Sequence, residues 1–234
     1  MLYRLLPLLL LALAAPAVAQ TTVDPVKRIK IRVDPFYQAA RHPDDPPLVT
    51  VAPRLDKLLA STRADDILRA RDEIERDPGR VTPMTLTVLA LRMYDVGLRD
   101  EAVFWYYAAR NRYYLLGAVA DMKAPALAPA AKAMHAFGQL AGPIINGYAF
   151  CDVDKQRDLS LRAADWTARH PYEVLLLPQI PARPGDRKAN YQKALGDLLA
   201  QVKRERDYLA IADNVGKLKA ARAANEADVK FCWK

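Results

Sequence analysis

The spacing of apolar residues predicts that the chain is mainly helical after Pro53. Apolar side chains recur three, four and seven positions apart, with charged residues between them, which is the pattern of a helix with one buried face. Leu55, Leu58 and Leu59 begin the series, and Ile67 and Ile74 continue it. The pattern recurs over residues 82–97, 98–116, 124–142, 154–170 and from 187 onward. We therefore expect an α-helical domain over residues 54–234.

Two segments interrupt this pattern. Gly142-Pro143 is expected to end the helix of residues 124–142, because proline lacks the backbone N–H that a helix interior needs. Residues 144–150, IINGYAF, fit either a helix or a hairpin, since Asn-Gly between apolar residues favours a two-residue turn. Residues 171–186 contain four prolines and a glycine and are predicted to form a loop.

Residues 20–53 have a different pattern and are predicted to form an extended, partly β N-terminal arm. In residues 27–33, KRIKIRV, Ile29, Ile31 and Val33 alternate with basic residues, as in a half-buried strand. Basic side chains along an exposed strand edge discourage aggregation. The same basic arm, from Lys27 to Arg32, is alternatively a site of weak contact with an anionic envelope surface.

The first 19 residues have the pattern of a secretory signal peptide. Arg4 precedes an apolar run from Leu5, and Ala17-Val18-Ala19 predicts cleavage before Gln20. The run is shorter than the roughly 20 residues of a membrane span, and we expect no later segment to span a membrane. The signal peptide predicts export. An Ala- and Arg-rich chain is typical of a GC-rich bacterium, so we predict that the compartment is a Gram-negative periplasm.

The net charge of the chain narrows the classes of partner that we expect. The formal net charge is +8, and loss of Arg4 with the signal peptide leaves +7. A basic protein favours anionic neighbours, but export argues against nucleic acid. We expect the partner to be another periplasmic or secreted protein. A hydrophobic fraction of 52% is too high for a disordered chain.

Cys151 and Cys232 are the only cysteines of the chain and are predicted to form one disulfide, as is usual in an oxidising compartment. In the chain-entropy account, closing a loop of this length stabilises the folded protein by roughly 4 to 5 kcal/mol. The bond would join the C-terminus to the middle of the chain. The alternative, a nucleophilic cysteine, lacks a nearby histidine.

Residues 97–114, GLRDEAVFWYYAARNRYY, contain more aromatic residues than one buried helix face can use. Gly97 permits a tight reversal between two antiparallel helices, and Ala90, Ala102 and Ala109 let those helices approach closely. The remaining aromatic residues are either covered by helices from residues 122–170 or exposed as an anchor patch for a partner. They are Phe104, Trp105, Tyr107 and Tyr114.

Residues 86–109, LTVLALRMYDVGLRDEAVFWYYAA, with DEA at 100–102 and Pro78 before them, resemble one tetratricopeptide or Sel1-like repeat. The resemblance covers residues 78–113 and implies a helical hairpin at 81–116 within a tetratricopeptide-like bundle. It also implies protein or peptide binding, with the first helix lining a groove. The implied contacts on that helix are Thr87, Leu91, Tyr94 and Asp95, and we add Trp105 and Tyr107 as anchors on the second helix.

The motifs of common enzymes are missing from the sequence. It contains no G-x-S-x-G, H-E-x-x-H, P-loop or dinucleotide-binding pattern, and His42, His135 and His170 are far apart. DVDKQRD at 152–158 begins like a calcium loop, but Gln156 and Arg157 stand where such a loop needs Asp or Asn and then Gly. Asp152 or Asp154 is better interpreted as a helix cap.

We therefore predict no metal site and no cofactor. The function expected from these features is that of a non-catalytic protein-interaction module, either an adaptor or an inhibitor. The alternative is a hydrolase or lyase of cell-wall polymers whose carboxylates are brought together by the fold, with paired acids of raised pKa in a cleft.

Overall fold

A computed structural model describes residues 23–27, 29 and 53–233. The signal peptide, its cleavage point and most of the N-terminal arm lie outside the described residues. The described part is mainly α, as the sequence predicted, and it contains nine helices and no strand. The helices are α1 (Pro53–Leu59), α2 (Ala64–Arg76), α3 (Pro83–Asp95), α4 (Arg99–Val119), α5 (Ala128–Ala149), α6 (Val153–Arg169), α7 (Arg187–Leu209), α8 (Ala212–Ala224) and α9 (Ala227–Phe231).

The predicted hairpin consists of α3 and α4. Thr82 begins it, because its hydroxyl accepts a hydrogen bond from the Thr85 N–H at 3.2 Å and Pro83 supplies a first helical residue that needs no N–H partner. Gly97 has a φ of +89°, a left-handed conformation that glycine adopts without strain. The reversal at Gly97 is therefore confirmed, and the two helices pack against each other along their length.

Helix α4 lies at the centre of the fold, and most of its aromatic residues belong to the core. Trp105 is fully buried, and its ring centroid is 5.2 Å from that of Trp166 in α6, in an edge-on arrangement. Phe104 packs edge-on against both indoles. The expectation that helices from residues 122–170 cover these aromatics is confirmed for Phe104 and Trp105. Tyr114 differs, since its side chain is 41% exposed.

Helix α5 corrects one prediction, because it continues through Pro143 to Ala149. The expectation that Gly142-Pro143 ends this helix was wrong, and residues 144–149 are helical rather than a hairpin. Beyond the proline, Ile145 and Ala149 are buried in the core, which favours continuation of the helix. Gly142 allows the close approach to α4, since a Cβ there would lie 2.9 Å from the Tyr106 hydroxyl.

The disulfide between Cys151 and Cys232 is present as predicted. It joins the turn after α5 to the residues that follow α9, so that α9, Cys232 and Trp233 are held against the body of the protein. We call residues 227–233 the C-terminal clasp. The ring of Phe231 in the clasp covers Gly147 of α5, where a Cβ would come within 2.5 Å of the ring.

The described part of the N-terminal arm is not a strand. Neither Lys27 nor Ile29 belongs to a regular element, and the rest of the strand predicted at residues 27–33 lies outside the described residues. No helix within residues 23–27, 29 and 53–233 is long and apolar enough to cross a membrane.

Candidate functional site

The C-terminal end of α3, which we call the α3 end, contacts an irregular segment of the chain itself. We call residues 23–29 the N-terminal segment, of which residues 23–27 and 29 are described. Tyr94 donates a hydrogen bond from its hydroxyl to the carbonyl oxygen of Val26 at 2.9 Å. Asp95 accepts a hydrogen bond from the backbone N–H of Ile29 at 2.7 Å. Consecutive side chains of α3 therefore bind a carbonyl and an amide that lie three residues apart in one segment.

The Ile29 side chain adds an apolar contact to these two hydrogen bonds. It is 1% exposed and belongs to the main hydrophobic core, although it lies far from the helices in sequence. Backbone hydrogen bonds supply affinity without selecting a sequence, whereas a buried side chain selects for size and shape. The α3 end thus contacts both the backbone of this segment and one of its side chains.

Neighbouring groups hold the two recognising side chains in place. Arg92 pairs with Asp95 at 3.2 Å and also donates to the carbonyl oxygen of Ser61 at 3.0 Å. This pair orients the Asp95 carboxylate, and both side chains are almost buried. Burial raises the pKa of Tyr94, so its hydroxyl keeps the proton that it donates to Val26.

The C-terminal clasp covers the N-terminal segment from the other side. The Val26 N–H donates to the carbonyl oxygen of Lys230 at 2.8 Å, and the Trp233 indole N–H donates to the Val26 carbonyl oxygen at 3.1 Å. Both backbone polar groups of Val26 are therefore satisfied inside the protein. The Lys27 ammonium, on an exposed side chain, lies 5.6 Å from the centroid of the Trp233 ring.

Arg99, at the start of α4, fixes the position of Trp233. Its guanidinium lies 4.0 Å from the centroid of the Trp233 ring and 4.7 Å from that of Tyr148, and it donates to the Trp233 carbonyl oxygen at 2.9 Å. Cation–π contacts of this kind contribute about 0.5–2 kcal/mol each. The clasp therefore depends on α4 and α5 as well as on the disulfide.

The other predicted contact residues of the hairpin lie inside the protein. Thr87 and Leu91 are at most 2% exposed, and Trp105 packs against Trp166, so these three are core residues and not surface contacts. Thr87 uses its hydroxyl within α3, donating to the carbonyl oxygen of Pro83 at 2.9 Å. Of the six predicted contacts, Tyr94 and Asp95 are the two that hydrogen-bond to the N-terminal segment.

Tyr107 lies in a separate groove of about 190 Å³ that α4 and α7 border. Gln156 of α6, itself 1% exposed, donates from its amide to the Tyr107 hydroxyl at 3.3 Å and to the Glu205 carboxylate at 3.2 Å. Burial raises the pKa of Tyr107 to about 12, although the hydrogen bond from Gln156 lowers it. The hydroxyl therefore stays neutral, and this cluster joins α4, α6 and α7.

Asp100 and Asp152 both line a cavity of about 270 Å³ beside the clasp. Asp100 accepts hydrogen bonds from the Tyr148 hydroxyl at 2.6 Å and the Lys155 ammonium at 3.0 Å. Burial raises the pKa of Asp100, but these two donors outweigh it and the pKa is below its usual value. Asp152 caps α6 by accepting from the Lys155 N–H at 3.0 Å, as predicted.

Asp100 is therefore suited to remain an anion and not to donate a proton as a general acid. Among the described residues, no group of three or more His, Cys, Asp and Glu side chains is arranged to hold a metal ion.

Comparison with known proteins identifies a relative of the chain. An uncharacterised protein of Haemophilus influenzae is 33% identical over 222 residues, which are 95% of this chain and 85% of the relative. No protein-family model matches the chain, and no solved structure matches it.

Proposed function

The chain belongs to the same protein family as this Haemophilus influenzae protein, and we propose that it is an exported, non-catalytic interaction module that binds an extended segment of another periplasmic or secreted protein. The observation that carries the proposal is the pair of hydrogen bonds from Tyr94 and Asp95 to the N-terminal segment. The resemblance of residues 78–113 to a tetratricopeptide repeat agrees with it, because such hairpins bind peptides through their first helix.

The proposed partner presents a backbone carbonyl and, three residues later, a residue that offers both its backbone N–H and a large aliphatic side chain. Tyr94 and Asp95 would bind the two backbone groups, and the pocket that now holds Ile29 would take the side chain. The partner segment replaces the N-terminal segment of this chain. An internal segment competes at an effective concentration near the millimolar range, so the free protein is largely self-occupied.

Export is part of the proposal. The pattern of residues 1–19 supports it, and so does the disulfide, because such bonds persist in oxidising compartments.

The test uses a chain whose own segment cannot compete. Ile29→Asp places a charge where the structure buries an isoleucine, so we expect the N-terminal segment to leave the α3 end. A fluorescein-labelled synthetic peptide of residues 22–31 is then titrated into this variant and followed by anisotropy. We expect saturable binding by the Ile29→Asp chain and much weaker binding by the wild-type chain.

Two matched controls make the result specific. A peptide with aspartate in place of Ile29 should not bind, and the Ile29→Asp/Asp95→Asn chain should lose most of its affinity for the original peptide. Circular dichroism establishes that each variant is folded. If the folded Ile29→Asp chain does not bind the peptide, the α3 end is not a peptide site and the proposal is wrong.

The partner is then identified by crosslinking in a periplasmic extract. Proteins that the Ile29→Asp chain captures and the Ile29→Asp/Asp95→Asn chain does not are the candidates, because the two chains differ only in the side chain that accepts the backbone N–H. Capture of the same proteins by both chains would contradict binding at Asp95.

A further inference from the structure

We propose that Cys151–Cys232 is a thiol–disulfide exchange site, and that its reduction by a dithiol protein releases the C-terminal clasp from the N-terminal segment. The regulatory part of this inference rests on the proposed function, since it concerns access to the same α3 end. The exchange chemistry stands on the surroundings of the two sulfur atoms.

The disulfide is accessible from two sides. Cys151 is exposed and lines both a cavity of about 670 Å³ next to α8 and the cavity of about 270 Å³ beside Trp233. Cys232 lines the smaller cavity. An incoming thiolate can therefore reach the Cys151 sulfur without unfolding of the core, which is the first requirement for exchange.

A buried arginine contacts both sulfur atoms. The Arg222 side chain is 9% exposed, and its Nη2 atom lies 3.1 Å from the Cys232 sulfur and 3.5 Å from the Cys151 sulfur. A guanidinium at this distance stabilises a thiolate on either sulfur, and more strongly on the nearer one. Cys232 is therefore the better leaving group when a thiolate attacks Cys151.

The charge of Asp228 opposes the effect of Arg222 on a thiolate at Cys232. The Asp228 carboxylate accepts a hydrogen bond from Nε of Arg222 at 2.8 Å and forms an ion pair with Nη2 at 2.8 Å, and it lies 3.4 Å from the Cys232 sulfur. Its negative charge disfavours a thiolate at Cys232 while it holds the guanidinium in place.

The other charged side chains that line the two cavities are Asp152, Asp154, Arg157, Lys219, Arg99, Asp100 and Lys155.

The reaction is a two-electron transfer from a dithiol protein. Its thiolate attacks the Cys151 sulfur, a mixed disulfide forms, and the Cys151–Cys232 bond breaks with its electron pair on Cys232. The second thiol of the donor, as a thiolate, then attacks the donor sulfur of the mixed disulfide and releases Cys151 as a thiolate. The donor leaves as a disulfide, and the two protons that its thiols lose balance the two thiolates formed here.

Reduction removes the covalent link that holds the clasp. The clasp then keeps only its non-covalent contacts, chiefly those of Trp233 with Arg99 and Val26 and that of Lys230 with Val26. Once the clasp moves away, the N-terminal segment is held by Tyr94, Asp95 and the buried Ile29 alone. A partner segment can then replace it more readily.

The exchange chemistry is tested by the rate at which dithiothreitol reduces the folded protein, followed by alkylation and mass measurement. Arg222→Gln should slow reduction by about threefold or more, because the leaving Cys232 thiolate loses the guanidinium that stabilises it. Asp228→Asn should accelerate reduction. Arg222→Lys keeps the charge and should stay near the wild-type rate.

The opposite signs distinguish an electrostatic role from a structural one. If Arg222 and Asp228 only packed the disulfide, both substitutions would loosen it and both would accelerate reduction. Acceleration by Arg222→Gln would therefore overturn the exchange proposal, as would equal rates in all four proteins.

The release of the clasp is tested by hydrogen exchange and by binding of the labelled peptide of residues 22–31. On reduction, residues 23–29 and 227–233 should exchange faster while α4 stays protected, and the peptide should bind the reduced wild-type chain more tightly than the oxidised one. Unchanged exchange at residues 227–233 would overturn the release.

The outcomes separate this inference from the proposed function. If the oxidised Ile29→Asp chain binds the peptide and the reduced wild-type chain does not, the α3 site stands and its control by the disulfide is wrong. If neither binds the peptide, the proposed function fails, whatever the reduction rates show about the exchange chemistry.

Discussion

The guanidinium of Arg112 lies over the indole of Trp166, with its Cζ atom 4.6 Å from the ring centroid. Arg112 is fully buried in α4, and it donates hydrogen bonds to the carbonyl oxygens of Pro78 and Val81 at 2.7 Å and of His170 at 3.2 Å. One side chain thus joins the loop before α3 to the end of α6. Burial lowers the pKa of Arg112 to about 10.

Replacement of this arginine should reduce stability strongly. Arg112→Met keeps an unbranched chain of similar length but removes one donor from each of three carbonyl oxygens. The Pro78 oxygen keeps a hydrogen bond from the Val81 N–H at 3.2 Å, whereas the loss at the Val81 and His170 oxygens costs about 1–3 kcal/mol each. We expect the free energy of unfolding in urea to fall by about 3 kcal/mol or more. Arg110→Met, on the exposed side of the same helix, is the control and should change stability little. An equal effect of the two substitutions would contradict the role given to Arg112.

Two glycines of α5 should respond to alanine in opposite ways. Gly147→Ala places a Cβ about 2.5 Å from the Phe231 ring, so α9 must move, and we expect a loss of about 1–3 kcal/mol. Gly138→Ala meets nothing within 4 Å and should stabilise the helix by about 0.5–1 kcal/mol. Thermal unfolding measures both variants. A neutral Gly147→Ala would mean that Phe231 does not pack on α5.

Alkaline pH should destabilise the protein through its buried tyrosines. Burial is the main cause that raises the pKa of Tyr107 and of Tyr148 to about 12, against 10.0 for an ordinary tyrosine. The folded state then holds protons that the unfolded state releases, so the stabilisation is complete below pH 10 and is lost as pH rises towards 12.

The measurement is the free energy of unfolding in urea at several pH values above 9. Tyr107→Phe should make its decline with pH shallower, because one proton no longer differs between the two states. Tyr208→Phe, which changes a side chain that is 54% exposed, is the control. A decline equally steep in the wild-type and Tyr107→Phe proteins would contradict the burial of the Tyr107 hydroxyl.

Loss of the disulfide should reduce stability without removing the helical fold. The Cys151→Ser/Cys232→Ser protein should unfold with a free energy about 2–5 kcal/mol lower than that of the oxidised wild type. Far-ultraviolet circular dichroism should stay close to that of the wild type, since the α4 core does not include either cysteine. Complete loss of helical signal would show that the bond is needed for folding itself.

The predictions that succeeded depended on signals close together in sequence. Apolar spacing located the helices and Gly97 marked the reversal. The cap predicted at Asp152 or Asp154 is confirmed at Asp152, which precedes a helical pattern. The failure at Pro143 has the same origin. A local signal for a helix end was outweighed by the burial of Ile145 and Ala149 against helices that are distant in sequence.

The candidate site was only half visible before the fold was known. The resemblance to a repeat indicated Tyr94 and Asp95 as peptide contacts, but their ligands, Val26 and Ile29, are 68 and 66 residues away. Arg222 had no distinguishing signal, because it is one of many basic residues in the chain and its contact with Cys151 spans 71 residues.

The sequence by itself determined the helical class, the α3–α4 reversal and the pairing of the only two cysteines, because periodicity, glycine conformation and an even cysteine count need no tertiary information. Only the tertiary structure decided which aromatics of α4 are core, where α5 ends, and that the two ends of the described chain meet at α3. Burial and long-range hydrogen bonds decide these features, and both depend on which distant segments pack together.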